Sequence, residues 1–107
     1  MAEKSLIHIE RQIAMIKREL LDIDEMRPGS ITRQYKNPKK REGGFYQLSY
    51  THRNKSKTEY VRARDVEELK QQVHSYKRFK ELIQRWIDLA IEYSKLKLER
   101  DNLGKLK

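Results

Sequence analysis

The chain has no cysteine, only two prolines and four glycines, and a single tryptophan among its 107 residues. Without thiols it has neither a disulfide framework nor a thiolate zinc site. No apolar run approaches the ~20 residues that a membrane-spanning helix needs. The N-terminus also lacks the apolar stretch of a signal peptide. The expectation is a soluble cytoplasmic protein with no membrane partner. Apolar residues make up 36% of the chain and charged residues 38%, so any core is thin. Thin cores suit helix pairs, which bury one seam and leave the rest wet.

Side chains with an obvious catalytic arrangement are missing too. His8, His52 and His74 have no metal-ligand spacing, and there is no HExxH or glycine-rich phosphate loop. Ser49 and Ser75 lack the neighbours of a nucleophile. Asp22, Asp24 and Glu25 form an acidic cluster, which reads as a solvated or salt-bridged face rather than a cation site. No catalytic residue, metal or cofactor is expected.

What the chain has is positive charge in one place. Between Pro28 and Arg64 there are ten basic side chains against two acidic ones, so this stretch holds +8 of the net +9. The ten are Arg33, Lys36, Lys39, Lys40, Arg41, Arg53, Lys55, Lys57, Arg62 and Arg64. They are interleaved with Tyr35, Tyr46, Tyr50 and Tyr60. Localised charge of one sign points to a partner of the other sign. The competing reading is that the tyrosines pack and the charges guard the edges of a small sheet. Solubility alone requires no bias of sign, so a polyanion is preferred. The expected contacts are the ten basic residues with Tyr46 and Tyr50.

Two helical patterns flank this stretch. Leu6, Ile9, Ile13, Ile16, Leu20 and Ile23 recur at 3,4 spacing, a heptad seam on a helix expected over 4–26 with Ser5 as its cap. Arg27-Pro28-Gly29-Ser30 ends it. Asp65-Val66-Glu67-Glu68 opens a second helix over 65–100 with a capping residue and acids in its first turn. Between them, over 30–62, lie segments with strand character. They are Ser30 to Tyr35, Phe45 to Thr51 (with Tyr46, Leu48 and Tyr50 on one face) and Lys57 to Arg62. Residues 36–44 read as a loose loop, and 52–56 as a hairpin turn.

The resulting expectation is an α+β single domain. Two long antiparallel helices form a coiled-coil-like hairpin, with a small two- or three-stranded antiparallel sheet inserted between them. The longer helix would overhang the shorter by two to three turns, and a second copy would cover the excess in a homodimer. Leu6, Ile9, Ile13, Ile16, Leu20, Ile23, Trp86, Ile87, Ala90 and Ile91 are the expected pairing and oligomer positions.

The order of motifs resembles a small prokaryotic family of unknown function. These are Arg27-Pro28-Gly29-Ser30 with Tyr35, Gly44-Phe45-Tyr46-Gln47-Leu48-Ser49-Tyr50, Tyr60-Val61 and Tyr76-Lys77-Arg78-Phe79-Lys80-Glu81-Leu82. The similarity spans about 6–98. Members are often encoded in or near transposons and integrative elements, which implies an accessory role on DNA, associated with the nucleoid, beside a recombinase or transposase. Many members carry closely spaced cysteines after the first strand. This chain has a basic loop there, so no metal role carries over. The expected function is non-catalytic binding of nucleic acid, with DNA as the partner and structured RNA as an alternative. A helical protein-interaction adaptor is the other reading.

Overall fold

The computed structural model describes residues 2–105, with side chains from 5 to 104. Helix α1 (Ala2–Leu21) is followed by strands β1 (Ser30–Asn37), β2 (Glu42–His52) and β3 (Lys55–Val61). A 3-10 turn at Ala63–Asp65 leads into helix α2 (Val66–Lys105). The class is α+β, with a three-stranded antiparallel sheet in the order β1-β2-β3. Only one helix is long. α1 has 20 residues and α2 has 40, so they measure about 30 and 60 Å at 1.5 Å per residue.

The first helix stops at Leu21, five residues short of the expected end. Its apolar periodicity runs on through Ile23 and Met26, but Asp22, Asp24 and Glu25 stand where the helix dipole is negative and acids are unfavourable. The last turn tightens instead. The N–H groups of Asp22 and Ile23 donate to the carbonyls of Glu19 and Leu20 at 3.1 and 3.2 Å. Ser5 lies inside the helix and is not its cap. Asp65 is likewise no cap, because it closes the 3-10 turn and its N–H donates to the Arg62 carbonyl at 2.9 Å.

The chain divides into two compact units: Asp24–Arg78 is one, and the segments before and after it form the other. In the helical unit, Leu6, Ile9 and Ile16 of α1 are buried, as is Leu82 of α2. Ile13, Leu20 and Ile23 are half-buried, so all six seam positions face inward to some degree. Tyr93 donates its hydroxyl to Glu10 at 2.7 Å, and the Lys17 ammonium sits 5.2 Å from the centre of the Trp86 ring. The two contacts fit one antiparallel register, in which facing residue numbers add to 103. Ile87, Ala90 and Ile91, expected at an interface, are exposed.

In the other unit the sheet packs on the first turns of α2. Leu48 is fully buried with Val61, Val66 and Val73, and Ile31, Tyr46, Tyr50 and Leu69 close around them. Val66, Leu69 and Val73 lie at i, i+3 and i+7, one face of the helix. The sheet therefore covers the first turns of α2. Gly29 lets the chain enter β1 here. Its φ is +132°, and a β-carbon on it would stand 2.8 Å from both Leu48 Cδ1 and the Ser49 carbonyl oxygen. The Arg27 N–H donates to the Gln72 carbonyl at 3.0 Å, and Gln72 donates its side-chain amide to Glu25 at 3.0 Å.

Both hairpins are tighter than the sequence suggested. β1 and β2 pair from Ser30↔Ser49 to Asn37↔Glu42, which leaves only 38–41 as a loop. β2 and β3 pair from Tyr46↔Val61 to His52↔Lys55, which leaves Arg53 and Asn54 as a two-residue turn. Arg53 and Asn54 have φ of 50° and 63°, the left-handed pair that matches the twist of the flanking strands. Arg41 closes the first loop at φ 53°.

Candidate nucleic-acid interface

The strand registers decide which side chains share a surface. Side chains alternate along a strand and directly paired residues point the same way. One face therefore carries Ile31, Arg33 and Tyr35, with Tyr46, Leu48 and Tyr50, and Lys57, Glu59 and Val61. This is the face that packs on α2. The opposite face carries Thr32, Gln34 and Lys36, with Phe45, Gln47, Ser49 and Thr51, and Ser56, Thr58 and Tyr60.

All ten basic side chains are exposed, but they do not form a single ribbon. β2 is 11 residues long, so its ends lie about 34 Å apart. Lys39, Lys40 and Arg41 are in the loop at one end, and Lys36 is the last residue but one of the strand before it. Arg62 follows Val61, the partner of Tyr46, so β3 ends four residues short of Glu42, and Arg64 stands two residues beyond Arg62. Arg53, Lys55 and Lys57 are at the opposite end. Arg64 is partly neutralised, with its Nε 3.6 Å from an Asp65 carboxylate oxygen. Among the described residues, none of Lys36, Lys39, Lys40, Arg41, Arg53, Lys55, Lys57 or Arg62 forms a salt bridge. The cleanest concentration of unpaired charge is the run from Lys36 to Arg41.

Arg33 lies on the inner face between two rings. Its guanidinium carbon is 5.5 Å from the centre of Tyr35 and 5.8 Å from that of Tyr46, distances at which a cation is attracted to the ring faces. Gly44 makes room for it, since a β-carbon there would meet Arg33 Nε at 2.9 Å. Tyr46 and Tyr50, expected to touch nucleic acid, are half-buried against the core instead.

Tyr50 also belongs to a network of three. Its hydroxyl donates to Glu59 at 2.9 Å, and Arg27 donates to the other carboxylate oxygen at 2.8 Å. The Arg27 guanidinium lies 5.1 Å from the Tyr50 ring centre. The bond from Arg27, then that from Tyr50, holds the Glu59 carboxyl below its ordinary range. Its bond to Glu59 pushes the Tyr50 phenol up. In the helical unit the Tyr93 phenol is raised in the same way by its bond to Glu10. These groups tie the entry to β1 to the edge strand β3, which is a structural task.

Tyr60 was among the four tyrosines interleaved with the basic residues, but neither it nor Phe45 was an expected contact. Their rings are 6.4 Å apart and tilted by 32°, on the outward face. The pairing Gln47↔Tyr60 brings them together, and it follows from the two-residue turn at Arg53 and Asn54. Alternation along β2 alone would have placed Phe45 outside.

Among the described residues no three His, Asp or Glu side chains gather as a cation site, and no helix is long and apolar enough to cross a membrane. Comparison of the chain with protein-family models, curated proteins and solved structures finds no match in any of the three.

Proposed function

We propose that the protein is a non-catalytic nucleic-acid-binding protein that grips the phosphate backbone with the Lys36–Arg41 end of its sheet. The observation that carries this reading is the unpaired charge there. Lys36, Lys39, Lys40 and Arg41 crowd one hairpin end with no salt bridge among the described residues, and like charges so close repel until a polyanion neutralises them. Arg53, Lys55 and Lys57 form a separate, weaker cationic end. An accessory or regulatory role for a mobile genetic element, beside a recombinase or transposase, rests on the resemblance of motifs alone.

The test is binding to duplex DNA, single-stranded DNA and RNA over a salt titration. With about four phosphates neutralised, log affinity against log salt should slope near −3 to −4. The triple variant Lys39→Glu, Lys40→Glu, Arg41→Glu should abolish binding while the circular dichroism spectrum stays unchanged. A slope near zero, or no binding at low salt, removes the reading.

One observation favours an adaptor that pairs through its helices. Ile87, Ile91 and Leu98 are exposed at i, i+4 and i+11, a stripe turned away from the α1-facing Trp86 and Tyr93. If that stripe pairs copies or partners, Ile91→Lys should monomerise the protein without changing its salt slope.

A further inference from the structure

We infer that the outward face of the sheet is a stacking platform for the bases of a single-stranded nucleic acid. The inference rests on the nucleic-acid reading above and assigns it a form of ligand. Three observations converge on Phe45 and Tyr60.

The first is exposure. Tyr60 is 70% exposed on an edge strand, although a ring that served only to build the core would be covered. Tilted 32° to Phe45 at 6.4 Å, it forms with it a surface wide enough for roughly two bases, the number that aromatic sheet faces commonly stack.

The second is the shape beside the rings. A groove of about 350 Å³ is lined mainly by apolar atoms of Lys36, Gly43, Gly44, Phe45 and Tyr60. The Lys36 stem lies over Gly43, where a β-carbon would meet its methylenes at 3.0 to 3.1 Å. The wall of the groove is therefore aliphatic up to the ammonium at its end. That combination fits a flat apolar ring carrying an anion.

The third is charge. Among the described residues no carboxylate of the sheet stands on this face, since Glu59 and, by its pairing with Asn37, Glu42 are on the opposite one. What remains is hydroxyls and amides, several of them bonded to each other. Ser49 and Thr58 stand 3.5 Å apart, Thr51 and Ser56 3.2 Å, and Gln34 donates to Thr32 at 3.2 Å. Such a face tolerates any base without reading it. The cations of residues 36–41 adjoin it at the end where the aromatic pair lies. Phosphates can then follow the turn while bases lie on the rings, the arrangement by which single strands are held without sequence preference. A duplex keeps its bases stacked inside and offers none to the rings, so the platform should favour single strands.

The test compares a twelve-nucleotide oligothymidylate with a duplex of mixed sequence. Tyr60→Thr and Phe45→Leu should each weaken oligothymidylate binding about 5- to 150-fold and leave duplex binding unchanged. Tyr60→Trp should restore it. If Tyr60→Thr melts below the assay temperature, Tyr60→Leu serves the same purpose, because it keeps an apolar contact with Phe45 and removes the flat ring. Unchanged single-strand affinity in these variants, with binding still abolished by the charge reversal at residues 39–41, overturns the platform and leaves the backbone-binding reading standing. Failure of the unaltered protein to bind any polynucleotide overturns both.

Discussion

Replacing Arg41 and Arg53 by asparagine should make the protein more stable and, at Arg41, a weaker ligand for polyanions. Both arginines sit in the left-handed region, at φ 53° and 50°. For an L-residue with a β-carbon that conformation costs roughly 1–2 kcal/mol. Asparagine adopts it readily and is favoured in tight hairpin turns. Each replacement should therefore stabilise folding by about 0.5–1 kcal/mol. The turns lie at opposite ends of β2 and share no partner, so the two gains should add. A combined gain of about 1–2 kcal/mol would raise the melting temperature of a chain this size by about 4–16 °C. Binding separates the two sites. If Arg41 holds a phosphate, Arg41→Asn should flatten the salt slope by about 0.7–0.9, whereas Arg53→Asn, at the far end, should leave it alone. Thermal melts followed by circular dichroism and a salt-titrated binding assay measure both effects. Lower melting temperatures in both variants would refute the strain argument. An unchanged slope for Arg41→Asn would remove the first turn from the interface.

Two further predictions address the framework. Gly29→Ala should destabilise the fold by about 3 kcal/mol, because the added methyl meets Leu48 and a backbone oxygen at 2.8 Å with φ at +132°; chemical denaturation checks this. Glu59→Gln should lower stability at neutral pH, and the deficit should vanish in acid. The folded carboxyl titrates below its ordinary value, so its contribution is complete above the unfolded pKa and is lost as pH falls through the lower folded one. The exposed pair with Arg27 limits that deficit to about 1 kcal/mol or less, and a deficit that persists at low pH would contradict the assignment.

How much of this was legible in the sequence depended on how local each determinant is. The seam from Leu6 to Ile23 follows a single period and is readable from one segment. The end of α1 is less so, since Ile23 and Met26 keep the period while three acids oppose it, and the acids prevail. The inward set Tyr46, Leu48 and Tyr50 follows from alternation. The register of β3 does not, because it hangs on a two-residue turn that begins with arginine, an unusual occupant of a left-handed position. Without that register Tyr60 cannot be placed opposite Gln47, and the aromatic surface stays invisible. Arg27 and Glu59 are 32 residues apart, and no pattern in either segment announces their bond. Helix lengths were only partly readable, since α1 ends five residues before its expected limit and α2 runs five residues beyond its own, to Lys105.

Total charge overstates the local concentration of unpaired cations, and the distribution of the acids corrects it. Glu59, one of only two carboxylates in the basic stretch, is held by Arg27 and Tyr50 on the inner face. Asp65 stands beside Arg64, and Glu67 lies 3.6 Å from Lys70. The carboxylates around the start of α2 thus moderate the field near Arg64, while the outward face and the first turn keep theirs undiluted save for Glu42. A ligand drawn by net charge alone would be indifferent to this segregation and would bind either end of the sheet. A ligand drawn by the local field should distinguish them, so that reversing Lys39, Lys40 and Arg41 removes far more affinity than reversing Arg53, Lys55 and Lys57, although each change alters the net charge by the same amount.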